Sequence, residues 1–473
     1  MKKSKRSKRV DRISNLPDSI LHLILSSLES TEEAVRTSIL STRWRYLWTA
    51  LPSIDINCSR GLIRHMTYYC NKREFDEFVH SVLSNRTLGL DSFRLCCLNY
   101  FDMSTIEGWI YAALLQKPKK IHLSFSPRPG KNIELPHCLV TCDFLEVLSL
   151  KLYRRRLRFA SMLNYITLFP RLKVLELNNV ELPTKPQGFE FLERCPMLED
   201  LRLINCVIKT FMVLSISSLT LKTLTIVTHN LMYYEELCDD GTLVKKKFHR
   251  VSIRRHLVIS CPKLIRLEYA SGTFNYYDFN NLDSLKKAVI YPEPLVAEVN
   301  RGRLVSELFP KVSHMESLSI NHYFVQCSHR ERHTVFPASL PNLKTLELTT
   351  TIDDFALNVL ICILKCSPNL QSLNLTIQEE ISMTKGYWDL DEAETREILT
   401  RCLKRVEFLE FNGEKQKLEI ARFLLENGNS LEEMVFSWRN KVTYLKKSMD
   451  TMNKVSKFDK ASSFVKLIRH LKD

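Results

Sequence analysis

A triplet of leucines at i, i+3 and i+5 returns along the chain: Leu145-Leu148-Leu150, Leu172-Leu175-Leu177, Leu198-Leu201-Leu203, Leu343-Leu346-Leu348 and Leu370-Leu373-Leu375. Looser copies stand at 121–125, 221–226, 264–269, 285–290 and 315–320, and well-formed neighbours lie 26 or 27 residues apart. The last two leucines of each triplet fall on one side of an extended strand. Five copies share a second mark, a proline two residues before the first leucine: Phe169-Pro170, Cys195-Pro196, Cys261-Pro262, Leu340-Pro341 and Ser367-Pro368. Proline cannot continue a helix and favours an extended or turning backbone. One period therefore holds a strand, a turn and a return helix, and no single unit can bury its own apolar face. Stacked units can. The expected fold is α/β, an irregular solenoid with parallel strands on its concave face and helices on its convex face. Thr228–Arg254 interrupts the period and reads as an insertion, with Tyr233, Tyr234 and Lys245-Lys246-Lys247 on it.

The segment Leu16–Leu51 follows a different rule and reads as three short helices. Pro17 suits a first turn, where its missing N–H costs nothing. Ile20, Leu21, Ile24, Leu25 and Leu28 recur as a helical stripe. Ser30 and Glu33 have capping-box spacing and open a second helix carrying Val35. Ser41 is placed to cap a third, with Trp44, Leu47 and Trp48, before Pro52 closes it. About forty residues cannot enclose so many large apolar side chains, so the segment reads as a docking face. A helix-turn-helix would need polar side chains toward base edges, and the third helix offers Trp44, Leu47 and Trp48 instead.

The order Asp11-Arg12-Ile13-Ser14, Leu16-Pro17-Asp18, Ile24-Leu25-Ser26, Ala34-Val35-Arg36-Thr37-Ser38, Leu40-Ser41, Arg43-Trp44, Leu47-Trp48 resembles a plant-type F-box. That resemblance implies docking on a Skp-type adaptor, and through it on a cullin-RING ubiquitin ligase. The residues expected to make or support that interface are Leu16, Pro17, Ile20, Leu21, Ile24, Leu25, Leu28, Val35, Trp44, Leu47 and Trp48. The repeat period is that of leucine-rich repeats. Near the C-terminus, Leu403, Val406-Glu407, Phe411, Gly413, Leu418, Phe423–Asn427, Leu431-Glu432 and Met434-Val435 resemble the FBD domain, which follows such repeats in a large plant F-box family. This chain lacks the proline that the family usually has before the Cys402 position. The segment reads as strand, helix (to Asn427-Gly428) and strand. A further helix through Tyr444 to Val455 and a last strand, Phe464–Ile468, follow; the competing reading of that end is a basic amphipathic helix. The expected organisation is a basic tail (1–9), F-box (10–55), linking helical segment (56–92), repeats (93–382) and FBD (383–473), with the repeat array able to fold without the F-box.

Charge is concentrated at the ends. The formal net charge is +15; residues 1–9 carry six Lys or Arg and no acid, and residues 439–473 carry ten basic and three acidic side chains. Residues 10–438 are left nearly neutral, which argues against a phosphate-tracking surface and hence against nucleic acid as the partner. The tail Lys2, Lys3, Lys5, Arg6, Lys8, Arg9 is either a nuclear signal or a solvated end. No apolar run reaches membrane-spanning length, no apolar signal segment follows the first residues, and the fourteen Cys read as reduced thiols of a nuclear or cytoplasmic protein. No phosphate-cradling glycine loop, HExxH or GxSxG occurs. Cys138/Cys142 and Cys362/Cys366 lack zinc-ribbon spacing, and Cys195, Cys261 and Cys366 recur at one repeat position as core residues. The expectation is therefore no catalytic residue, no metal and no cofactor. The outward strand positions (Val147, Ser149, Lys151; Val174, Glu176, Asn178; Asp200, Arg202, Ile204; Thr345, Glu347, Thr349; Ser372, Asn374, Thr376) make a mixed surface suited to a protein target, whose identity the sequence does not name. Three functions fit: a substrate receptor of an SCF-type ligase, a non-degradative interaction scaffold, or, against the charge distribution, a nucleic-acid-associated protein.

Overall fold

The computed structural model describes residues 13–58, 72–97, 102–125, 133–158, 167–182, 191–206, 213–228, 233–237, 243–247, 255–274, 276–292, 313–324, 339–351, 363–378, 403–438 and 441–471, with single positions at 304, 307, 308, 311 and 360. The basic tail, Asp11-Arg12 and Cys402 lie outside them. The chain forms two compact units, residues 1–210 with 232–248, and residues 211–231 with 249–473.

The first unit starts with α1 (Asp18–Ser26), α2 (Thr31–Arg36) and two 3-10 segments, Thr37–Ile39 and Trp44–Ala50. Then come β1 (Ser53–Asn57), α3 (Lys72–Ser84), β2 (Ser92–Cys97), α4 (Met103–Leu114), β3 (Lys120–Phe125), β4 (Ile133–Glu134), α5 (His137–Thr141), β5 (Val147–Arg158), β6 (Val174–Glu181) and β7 (Asp200–Ile204). The strands run parallel in the order β1-β2-β3-β5-β6-β7. Leu148, Leu175 and Leu201 meet in register, as do Leu150, Leu177 and Leu203, and all six are at most 1 % exposed. Burying each is worth about 1.5–3 kcal/mol. Their neighbours Ser149, Glu176 and Arg202 fall on the other face, as strand alternation requires. The insertion contributes an antiparallel hairpin, Tyr233–Leu237 with Leu243–Lys247, that pairs Tyr234 with Lys246.

The proline punctuation has a local cause. In each of the five marked repeats the first strand leucine donates its N–H to the carbonyl of the residue before the proline: Leu172 to Phe169, Leu198 to Cys195, Leu264 to Cys261, Leu343 to Leu340 and Leu370 to Ser367. Proline thus occupies the second position of a tight turn, where its fixed φ is already correct.

The sheet begins one rung earlier than the leucine pattern indicates. β1 pairs along its whole length with β2, and its other edge is covered by α2. The Thr31 hydroxyl accepts from Asp55 N–H at 2.8 Å, and a Glu32 carboxylate oxygen accepts from Asn57 N–H at 3.1 Å. The N-terminal helices therefore pack along the first edge of the sheet.

In the second unit β8 (Val213–Ser217), β9 (Thr223–Val227), β10 (His256–Ser260), β11 (Arg266–Ala270), β12 (Tyr276–Asn280), β13 (Lys287–Ile290), β14 (Ser317–Asn321), β15 (Thr345–Thr350), β16 (Ser372–Ile377) and β17 (Arg405–Phe411) are followed by α6 (Lys415–Asn427), β18 (Glu433–Trp438), α7 (Lys441–Val455) and β19 (Lys466–Leu471). The main parallel sheet is β9-β11-β13-β14-β15-β16-β17-β18-β19, and β12-β10-β8 form a second. The described return segments Val213–Ser217, His256–Ser260 and Tyr276–Asn280 are thus strands where helices were expected. The reason is visible in their residues: Leu214 and Ile216, Leu257 and Ile259, and Tyr277 and Phe279 alternate in burial with period two.

The C-terminal part has the expected strand, helix, strand, helix and last strand. Phe408 stacks on Phe436 at 5.4 Å, and Phe411 meets Trp438 edge-on at 5.2 Å. Gly413 has φ +73°, and a Cβ there would stand 2.8 Å from Thr451 Oγ1 and 3.1 Å from the Trp438 ring, so only glycine fits. The final segment is a strand: β19 pairs in parallel with β18 from Glu433↔Lys466 to Trp438↔Leu471. Val465 and Leu467 are half-buried while Phe464, Lys466 and Ile468 are exposed, the alternation expected, and Lys466 and Arg469 protect the outer edge. Removing residues 459–473 uncovers the β18 edge, and the expected outcome is a lowered melting temperature with no change in binding to anionic liposomes.

Candidate docking site

α1 begins at Pro17, whose φ of −55° and ψ of 149° set the chain direction before the first turn. Leu21 and Leu25 point inward, and α1 packs on the Trp44–Ala50 segment, where Trp44, Leu47 and Trp48 are buried. Asp18 pairs with Arg43 at 2.6 Å, Arg43 also donates to the Ser14 carbonyl, and Trp44 Nε1 donates to Ser14 Oγ at 2.9 Å. These contacts hold Ile13–Leu16 against the third segment. Half of the capping box at α2 forms: Ser30 Oγ accepts from Glu33 N–H at 3.3 Å, while the Glu33 carboxylate accepts from Glu29 N–H at 3.2 Å, one residue before the cap. Ser41 is not a side-chain cap. Its carbonyl accepts from Trp44 N–H, its hydroxyl faces Ser14 Oγ at 3.4 Å, and the segment it precedes is 3-10, not α-helical.

The eleven residues named for docking thus divide. Leu21, Leu25, Trp44, Leu47 and Trp48 lie inside the chain and support the face from beneath. Pro17, Ile20 and Ile24 are exposed, and Leu16, Leu28 and Val35 are half-buried. Five further apolar side chains that periodicity did not single out stand in solvent: Ile13, Leu23 (66 %), Ile39 (88 %), Leu40 and Tyr46 (67 %). The signal for them was present. Five apolar residues within the nine of α1 exceed one face of a helix, and Ile39-Leu40 cannot both point inward from one turn. Ile20, Leu23 and Ile24, at i, i+3 and i+4, make a second stripe beside the buried one.

The exposed sheet faces carry mixed chemistry. In the first unit one row reads Asp55, Arg94, His122, Ser149, Glu176 and Arg202 across successive strands. Burial, helped by Arg94, holds His122 below its ordinary pKa, and Arg202 is bound by Asp200 at 2.6 Å. In the second unit Tyr291 Oη meets Ser319 Oγ at 3.1 Å, Ser437 donates to Glu407 at 2.6 Å, and Arg405 pairs with Glu407 at 3.0 Å.

Burial, the opposite of the setting that activates a thiol, pushes the Cys195 and Cys206 thiols up to about 12 and Cys261 up to about 11. Cys195 and Cys261 are the buried repeat positions expected; Cys366 is only half-buried. No group of three His, Cys, Asp or Glu among the described residues is arranged to hold a metal. The raised thiol values have a consequence for stability. The unfolded thiols ionise near pH 8.5 while the folded ones stay protonated, so their contribution is complete below that pH and falls as pH rises toward about 11. Denaturation midpoints should therefore drop between about pH 8 and 10, and replacing Cys195, Cys206 and Cys261 with alanine should flatten that slope while lowering stability throughout.

Three family models match the chain: the F-box domain over residues 13–54, the leucine-rich repeats of FBD-associated F-box protein At5g56370 over 106–300, and the leucine-rich-repeat domain of At1g61320/AtMIF1 over 247–468. Among curated relatives, the F-box/FBD/LRR-repeat protein At5g22660 of Arabidopsis thaliana is 28 % identical over 89 % of this chain and 89 % of its own length. The FBD-associated F-box protein At5g22730 of the same plant is 26 % identical over 91 % of this chain and 88 % of its own. The F-box/FBD/LRR-repeat protein At3g52680 is 27 % identical over 90 % and 85 %. The chain therefore carries an F-box followed by leucine-rich repeats, and over most of its length it is similar to plant F-box/FBD/LRR-repeat proteins.

Proposed function

We propose that this F-box protein is the target-recognising subunit of an SCF-type cullin-RING ubiquitin ligase. The observation that carries the reading is the apolar face of Ile20, Leu23, Ile24, Ile39, Leu40 and Tyr46, left in solvent above a packed layer of Leu21, Leu25, Trp44, Leu47 and Trp48. A Skp-type adaptor covers that face, and the outward strand residues of the repeats hold a target protein. The chain supplies no catalytic group. Its contribution is proximity, raising the effective concentration of target lysines beside a ubiquitin-charged enzyme. Thiols that are free throughout the described residues suit the reducing nucleus or cytoplasm. The test is affinity purification from plant cells with the ligase arrested, comparing the native chain with Ile24→Asp. The native chain should recover adaptor, cullin and proteins whose ubiquitylation stops when the chain is removed. Equal recovery of adaptor by both chains contradicts the reading.

A further inference from the structure

Leu88, Tyr111 and Leu115 are large apolar residues that stand 57–64 % exposed outside the F-box. Tyr111 on α4 and Leu115, its C-cap, are one turn apart, and Gly108 precedes them at i, i+3 and i+7. Glycine is a poor choice inside a helix, and alanine would favour this one. Neither backbone nor neighbours demand it, since a Cβ built on Gly108 meets nothing within 4 Å. The bare spot therefore serves nothing inside the chain.

Hydrogen bonds tie these residues to the F-box. Thr87 N–H donates to the Thr49 carbonyl at 3.2 Å, the two threonine hydroxyls meet at 3.0 Å, and the Thr49 hydroxyl donates to the Tyr46 carbonyl at 2.6 Å. On the far side of Leu88, Leu90 N–H donates to the Gln116 carbonyl at 3.2 Å. Gly89, Leu90, Leu115 and Gln116 line a surface cavity of about 470 Å³. Tyr46, Leu88, Leu115 and Tyr111 therefore follow one another along a strip that the buried Thr49 and the charged Asp91 and Lys117 of the same cavity interrupt.

We infer that the adaptor's footprint does not stop at the F-box but runs along this strip onto the first repeats, with Gly108 as the point where the partner approaches α4 most closely. The inference rests on the adaptor-docking reading and adds its second half. A protein seated on Ile24 and Tyr46 meets Leu88 next, because the 3-10 segment and the Arg86–Leu90 loop are joined at Thr49 and Thr87.

The experiment measures binding of the purified full chain to a purified plant Skp-type adaptor by calorimetry, with melting temperature beside it. Leu88→Asp and Leu115→Asp should each weaken binding by about tenfold or more. Gly108→Arg should weaken it similarly while the melting temperature holds or rises, which a merely structural role cannot produce. Met449→Asp, on exposed α7, should bind as the native chain does. If the three strip variants bind normally while Ile24→Asp does not, the strip is wrong and the docking reading stands. If Ile24→Asp also binds normally, both fail. A dimer of the free chain that Leu115→Asp dissolves would overturn the strip as an adaptor surface by giving it a second copy as occupant.

Discussion

Replacing Ile20 and Ile24 together by aspartate is expected to reduce adaptor affinity by a hundredfold or more, about 3 kcal/mol, with no loss of folding stability. Both side chains already face water, so a carboxylate there costs the free chain little. In a complex each would be an unpaired charge on a surface meant to lose its water, and the cost of that is large. The opposite pattern belongs to the layer beneath. Leu21→Ala or Leu25→Ala opens a cavity at a side chain at most 2 % exposed and should cost about 2–5 kcal/mol of stability, weakening adaptor binding only through the damaged support. Thermal denaturation and calorimetric titration on the same four proteins separate the two sets. Should Ile20→Asp/Ile24→Asp lose stability instead of affinity, the assignment of inside and outside in α1 is reversed.

Arg86 is the second place where a large effect is expected. Its guanidinium donates to the Trp48 carbonyl at 3.3 Å and to the Leu51 carbonyl, at the end of the 3-10 segment, and burial pulls its pKa down to about 10. It remains charged at neutral pH and satisfies backbone acceptors that the 3-10 ending leaves open. Arg86→Ala removes charged hydrogen bonds and strands those acceptors, an effect of about 3 kcal/mol on the first unit. Deleting residues 13–51 should do more, because Asp55 N–H and Asn57 N–H then lose Thr31 and Glu32 and β1 becomes a bare edge. Hydrogen exchange of β1 and β2 amides reports both changes. Unaltered protection in the deletion variant would show the repeats to be self-sufficient from their first strand.

The parts of this architecture that could be read from the chain are those where one short rule repeats. Leucines two apart fix which strand face is buried, and a proline turn fixes where each strand starts, so the triplets from Leu145 to Leu375 fell where expected. β1 was missed because Ile54-Asp55-Ile56 has neither the full triplet nor the proline. The return strands β8, β10 and β12 were missed because the helical return is an average property of such repeats, and Leu214-Ser215-Ile216 departs from it. The last strand was legible because Val465 and Leu467 alternate with Phe464, Lys466 and Ile468, while the charge around them marks an edge and not a lipid-facing helix.

The docking residues illustrate the limit differently. Ile20-Leu21 and Ile24-Leu25 are two adjacent stripes of equal hydrophobicity, and periodicity cannot say which of them faces Trp44. That choice is made by tertiary contacts, here the hydrogen bonds of Ser14 and Arg43 that hold the third segment against one side of α1. The exposed Ile39 and Leu40 are isolated in a single 3-10 turn, too short for any periodicity to register.

Equilibrium binding of the purified full chain to a purified plant Skp-type adaptor tests the central claim most directly. The account predicts a one-to-one complex by light scattering, tight enough to persist through gel filtration, and its loss in Ile20→Asp/Ile24→Asp with the fold intact. Absence of a complex at about 10 μM of both proteins, or equal binding by the double variant, would contradict it.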